Sequence, residues 1–192
     1  SALVAAGIER GDRVAFLAPN VPALLEAHFG VALAGGVLVA INTRLSSQEI
    51  DYILHHSGAT FLFVDAELEP LVAPLDLAGI KIVRIADTAA PDDPYEQYLA
   101  AGTPSPVESW LEDEEETIAI NYTSGTTGRP KGVMYTYRGA YLNALAQVAE
   151  PAMTPNSVYL WTLPMFHCNG WCFPWGIAAI GATSVCLRKF EP

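Results

Sequence analysis

The stretch NYTSGTTGRPKG (121–132) gathers side chains that bind anions. Between Tyr122 and Gly132 lie three glycines (Gly125, Gly128 and Gly132), four Ser or Thr hydroxyls (Thr123, Ser124, Thr126 and Thr127), the Tyr122 phenol and two cations, Arg129 and Lys131. Glycine lets backbone N–H groups line a concave turn and approach a phosphate without steric penalty. The hydroxyls add donors, and Lys131 adds a mobile full charge. Each charge-assisted hydrogen bond contributes about 1.5–3 kcal/mol, so several together hold a triphosphate tail. The spacing is not that of a Walker loop. Gly125 and Lys131 stand six residues apart, as there, but Pro130 replaces the second glycine and Gly132 replaces the Ser or Thr that would hold magnesium. Pro130 also removes an N–H and stiffens the backbone before the lysine. The competing reading is an ordinary hairpin turn without a ligand.

A second stretch, WTLPMFHCNGWCFPWG (161–176), holds three of the four tryptophans, Trp161, Trp171 and Trp175, with Phe166 and Phe173 beside them. Aromatic side chains bury large areas, so composition alone favours core. Pro164, Asn169 and Gly170 nevertheless break the run into a loop, where binding residues often sit. His167, Cys168 and Cys172 offer three zinc ligands with no obvious fourth, a poor metal site. His28 falls on an apolar helix face and reads as a core histidine. His55 and His56, with Asp51 one turn back, read as a solvated pair, and EDEEE (112–116) as a solvated face.

These segments need elements to position them, and the chain alternates accordingly. RVAFLA (13–18) reads as a buried strand, Asn20 as a cap and Pro22 as a first helical turn. Apolar residues at helical spacing then run to Gly35-Gly36, and VLVAI (37–41) follows as a strand. Ser46 with Glu49 resembles a capping box for SQEIDYILHHS (47–57). TFLFV (60–64) and KIVRI (81–85) are β-like around a short helical segment, and YEQYLAA (95–101) is a short helix in a Pro- and Asp-rich connection. TIAINYT (117–123) is a strand feeding the glycine-rich motif. GAYLNALAQVAE (139–150) is a helix, and SVYLWTL (157–163) and ATSVCL (182–187) are strands. The expected fold class is α/β, with layered, mostly parallel sheets flanked by helices.

The formal charge of −11 argues against nucleic acid or anionic lipid as main partner. Residues 118–187 carry Arg129, Lys131 and Arg138 against Glu150 alone, a net +2, which suits an anionic small ligand. Three cysteines, Cys168, Cys172 and Cys186, read as free thiols in a reducing, cytoplasmic setting. The uncharged runs 27–43 and 151–187 are too short or too interrupted by Gly, Pro and Asn for a transmembrane segment. The chain opens on Ser1 and stops at RKFEP, and it reads as a piece of a longer protein.

YTSGTTGRPKG resembles, residue for residue, the phosphate-loop signature of the adenylate-forming (AMP-binding) superfamily. GDRVAFLAPN, GVALAGGVLVAINTRLSSQEIDYIL and LPMFHCNGWCFPW agree with that family in the same order. The resemblance implies part of a large N-terminal domain, with a first α/β subdomain over roughly 1–110 and a phosphate-loop and acyl-pocket region over 117–192. A C-terminal domain would lie beyond the chain. The implied activity is that of an acyl-CoA synthetase using a carboxylic acid, ATP, Mg2+ and CoA. The acid is expected to be fatty or otherwise apolar and of medium size. By this resemblance Thr123, Ser124, Gly125, Thr126, Thr127, Gly128 and Lys131 hold the ATP phosphates, and Thr126 reaches Mg2+. His167 sits near the reacting carboxylate and α-phosphate as the catalytic residue. Phe166, His167 and Trp171 contact the acid, with Trp171 gating the acyl tunnel. Relatives usually carry His before Arg-Gly where this chain has Tyr137, so no histidine role is carried over there. A ligase loading a carrier protein and an unreactive nucleotide-binding paralogue remain alternatives, and a homodimer is among the assemblies the resemblance allows.

Overall fold

The computed structural model describes residues 2–104, 110–123 and 128–189. A short helix α1 (Ala2–Ala5) leads into β1 (Arg13–Leu17), α2 (Pro22–Leu33), β2 (Val37–Ala40), α3 (Ser47–Ser57) and β3 (Ala59–Asp65). A 3-10 turn and α4 (Glu69–Val72) precede β4 (Lys81–Ile85) and α5 (Pro94–Ala100). Then come β5 (Thr117–Thr123), β6 (Lys131–Thr136), α6 (Tyr137–Ala149), β7 (Val158–Trp161), α7 (Cys168–Trp171), α8 (Phe173–Ala179) and β8 (Thr183–Cys186).

Six strands form one sheet in the order β4-β3-β1-β2-β5-β6, parallel except for the antiparallel β5–β6 pair. Successive side chains on a strand point to opposite faces, so a sheet covered on both sides needs continuous apolar runs. RVAFL supplies one. Val14 and Phe16 enter a core with α2 and α8, while Ala15 and Leu17 enter a second core with Ile50, Ile53 and Leu54 of α3. The connection from β1 to β2 runs under one face. The connection back across β1 to β3 runs over the other, as crossovers of one hand require. Phe16 and Phe63 stack at 4.4 Å on the first face. A separate two-stranded parallel sheet, β7–β8, packs beside it.

The expected α/β class and its parallel strands stand, including the Ser46–Glu49 capping box. Three local readings change. Asn20 caps nothing, since α2 starts from Val21 with no side-chain cap. KGVMYT, unassigned in the sequence, forms β6 because it folds back on β5 as a hairpin. The acidic run is not merely solvated. Glu112 and Glu116 pair with Arg10, and Glu114 and Glu115 with Arg138. Arg138 is thereby matched locally, which leaves the positive character of the loop region to Arg129 and Lys131. Strands β5 and β6 complete the sheet begun by β1–β4, so the sheet continues across the boundary expected between residues 110 and 117. Among the described residues no helix is long and apolar enough to cross a membrane.

Candidate active site

The glycine-rich segment falls between β5 and β6, which pair as antiparallel strands. Thr123 pairs with Lys131, Tyr122 with Gly132 and Asn121 with Val133, so Thr123 and Lys131 face each other across the mouth of the turn. Both are exposed, as are Gly128 and Arg129. Ser124, Gly125, Thr126 and Thr127 lie outside the described residues. Gly132 has a packing reason to be glycine. A Cβ there would stand 3.0 Å from Ile120 Cγ2 and 3.3 Å from Tyr122 Cζ, so the missing side chain makes room for the Tyr122 ring.

A cavity of about 420 Å3 opens beside the hairpin. Its walls include Asn42 after β2, Tyr122, Thr123 and Pro130 of the hairpin, and Phe166, His167 and Cys168. The fold thus brings one end of the phosphate motif and part of the aromatic stretch, more than thirty residues apart in sequence, onto one space. Two buried asparagines enforce this. Asn121 donates from Nδ2 to the Phe166 carbonyl at 2.9 Å. Asn20 donates from Nδ2 to the carbonyls of Trp161 and Leu163 at 2.8 and 2.9 Å, and its Oδ1 accepts from the Met165 N–H at 2.8 Å. The 161–166 segment is therefore tied to the ends of β1 and β5. An unpaired buried amide would cost about 1–3 kcal/mol, so these bonds fix the loop in one place. Sequence reasoning missed both tethers. The available signal was a polar residue closing each of two apolar strands.

His167 is exposed at the cavity, with its Nε2 3.8 Å from Cys168 Sγ. Tyr135 lines the same wall, and burial, then Cys168, pushes its phenol up to about 12. Cys172 is pushed up by burial and Cys186 up to about 11 for the same reason, so neither is an activated thiolate. All three cysteines are free.

Residues 168–172 have positive φ throughout, between 50 and 65° apart from 49° at Asn169. Left-handed backbone costs non-glycine residues about 1–2 kcal/mol each, so the surroundings must impose it. They do so at Gly170, where a Cβ would stand 2.6 Å from Trp161 Cζ3, a ring that is fully buried. The left-handed turn carries Trp171 outward. Its side chain is 50% exposed and outside the cavity lining, and its carbonyl accepts from Asn143 Nδ2 at 3.2 Å. His28 is buried on α2, its Nδ1 2.8 Å from the Leu24 carbonyl, and burial lowers its pKa to about 4. Tyr137 is structural, with its ring against Trp110 and its hydroxyl 3.4 Å from the Ala32 carbonyl.

A space at the carboxyl ends of the strands of a parallel sheet is the usual seat of a ligand in open α/β proteins. Here a Gly-, Thr- and Lys-bearing hairpin stands over it. An ATP-bound MatB from Rhodopseudomonas palustris has this arrangement of elements, matching with a TM-score of 0.86 at 26% identity over 98% of this chain and 37% of that one. The profile of the AMP-binding enzyme family matches residues 1–192, and the chain belongs to that family. Among curated proteins it is 44% identical to a 4-hydroxybutyrate–CoA ligase of Metallosphaera sedula, over 100% of this chain and 37% of that protein. It is 43% identical to a peroxisomal acetate/butyrate–CoA ligase of Arabidopsis thaliana, over 98% of this chain and 37% of that protein. The chain thus spans little more than a third of the length of these relatives.

Proposed function

We propose that the protein is an AMP-forming acyl-CoA ligase, of which this chain supplies the phosphate-binding hairpin and one wall of the acid site. The observation that carries this reading is the shared cavity, lined both by Thr123 and Pro130 of the hairpin and by Phe166 and His167. In the reaction an acid's carboxylate oxygen attacks the α-phosphorus of ATP. The bond to the bridging oxygen breaks and pyrophosphate leaves, giving an acyl-adenylate. CoA thiolate then attacks the acyl carbon and AMP departs.

Each residue's part follows from its chemistry. Thr123, Ser124, Thr127 and Lys131, with the backbone at Gly125 and Gly128, hold the β- and γ-phosphates and stabilise the charge gathering on pyrophosphate. By the family resemblance Thr126 would be this chain's contact to Mg2+, which when bound would neutralise charge on the phosphates. His167, exposed at the cavity, is proposed as the hydrogen-bond donor to the carboxylate and the α-phosphate. Phe166 forms the apolar wall of the acid site. The relatives named for acetate, butyrate and 4-hydroxybutyrate point to a small or medium acid.

The deciding experiment is acid-dependent exchange of pyrophosphate into ATP by the full-length protein across a panel of acids, followed by CoA addition. Exchange with short aliphatic acids and AMP release on adding CoA are expected. Exchange without any CoA-dependent release would move the acceptor to a carrier protein, and no exchange with any acid would overturn the reading.

A further inference from the structure

Among the described residues β6 is the last strand of the sheet and pairs with β5 alone, so within the sheet the hairpin has a neighbour along one edge. The second support comes from α3. This helix is fixed at both ends, by its capping box and by Gly58 in left-handed conformation, and from within by buried Ile50, Ile53 and Leu54. Two side chains one turn apart on its outer border, Tyr52 and His56, reach the hairpin. Their rings stack at 5.0 Å. His56 Nδ1 lies 2.8 Å from the Tyr122 hydroxyl, with the two rings edge to face at 5.8 Å. The Arg129 guanidinium lies over the Tyr52 ring at 5.5 Å.

The neighbouring histidine shows that this is not the default for an exposed ring. His55 bonds back to Asp51 of its own helix. His56 is exposed and buries little apolar surface, yet it spends its polar contact on Tyr122. Gly132 completes the arrangement, since its lack of a side chain seats the Tyr122 ring. We propose that Tyr52 and His56 are positioning residues for ATP, holding the hairpin through Tyr122 immediately before the phosphate-binding turn and Arg129 immediately after it. The inference rests on the nucleotide reading above. A turn whose two flanks are already fixed on one rigid helix loses less freedom when a polyphosphate binds, so the clamp raises affinity without touching the ligand.

Steady-state kinetics of the full-length protein test this. His56→Ala is expected to raise the KM for ATP about 2–10-fold, the worth of one hydrogen bond, with kcat and the KM for the acid near wild type, and Tyr122→Phe to raise the KM for ATP by a similar factor. The double variant is expected to match the worse single one, because both remove the same bond. Tyr52→Leu should raise the ATP KM as well, and Tyr52→Phe, which keeps a ring face for Arg129, should restore it. Unchanged ATP KM in His56→Ala and Tyr52→Leu, additive effects in the double variant, or equal losses in all parameters with a lowered Tm would each overturn the proposal. Lys131→Ala separates the two levels. If it raises the ATP KM while the α3 variants do not, the clamp alone fails. If it too leaves ATP use unchanged, the nucleotide reading fails and the clamp with it.

Discussion

At the scale of single residues, charge and burial decide which groups act and which only pack. Lys131 sits at the mouth of the hairpin opposite Thr123 and is exposed. Lys131→Ala is expected to lower kcat/KM for ATP by about 10–100-fold, the loss of one charge-assisted contact, without changing the fold. Wild-type kcat/KM in that variant would remove Lys131 from the site. His28 is the opposite case, a titratable group that must stay neutral. Its folded pKa of about 4 lies below the ordinary 6.5 because burial disfavours the imidazolium. The unfolded chain therefore binds the proton first as pH falls. The stability that His28 contributes is complete above pH 6.5 and is lost on the way down to pH 4, by up to about 3 kcal/mol. In His28→Leu the urea midpoint should fall less steeply between pH 6.5 and 4.5 than in wild type. Parallel curves would contradict the assignment. The core role of His28 was legible from its apolar helix face. The roles of Asn20 and Asn121 were not, because a tether between distant segments leaves no mark in local spacing.

At the scale of elements, what was legible followed from periodicity, and what was missed depended on contacts far along the chain. The parallel strands announce themselves as apolar runs. KGVMYT does not, because β6 is an edge strand with Val133 and Met134 exposed and takes its conformation from pairing with β5. The left-handed turn at 168–172 is equally silent in propensities, being set by the close approach of Gly170 to Trp161. Helix packing gives two glycines opposite meanings. Gly30 lies within α2, and a Cβ there would meet nothing within 4 Å. Gly176 lies in α8, where a Cβ would stand 2.8 Å from the Ala144 carbonyl oxygen and 2.8 Å from Val148 Cγ1, both on α6. Gly30→Ala should stabilise by about 0.5–1 kcal/mol through helix propensity. Gly176→Ala should destabilise by about 1–3 kcal/mol by forcing α8 off α6. Thermal unfolding of the two variants checks this, and shifts of the same sign would show that the α6–α8 contact yields where the structure has it tight.

At the scale of the whole molecule the two sheets differ in how completely they are covered. The six-stranded sheet has a core on each face. The β7–β8 pair is parallel, a pairing normally buried on both faces, yet Val158, Leu160 and Val185 stand exposed together on one of them. The register sets Leu160 directly against Val185, so these side chains form a patch rather than scattered points. Tyr141 and Leu145, one turn apart on α6, are also exposed. A net charge of −11 opposes association in general but does not neutralise a local apolar face with open strand edges beside it. The 192-residue chain produced alone is therefore expected to self-associate, and Val158→Thr with Leu160→Lys to reduce that association by placing polar groups on the patch. It is also expected to form no acyl-CoA, since it spans little more than a third of the length of the CoA ligases it resembles. Light scattering after size-exclusion chromatography reads the first outcome and a thioester assay the second. A monodisperse wild-type monomer, or robust acyl-CoA formation by the chain alone, would mean that the exposed β7–β8 face is a stable surface and that the cavity already contains all that the reaction requires.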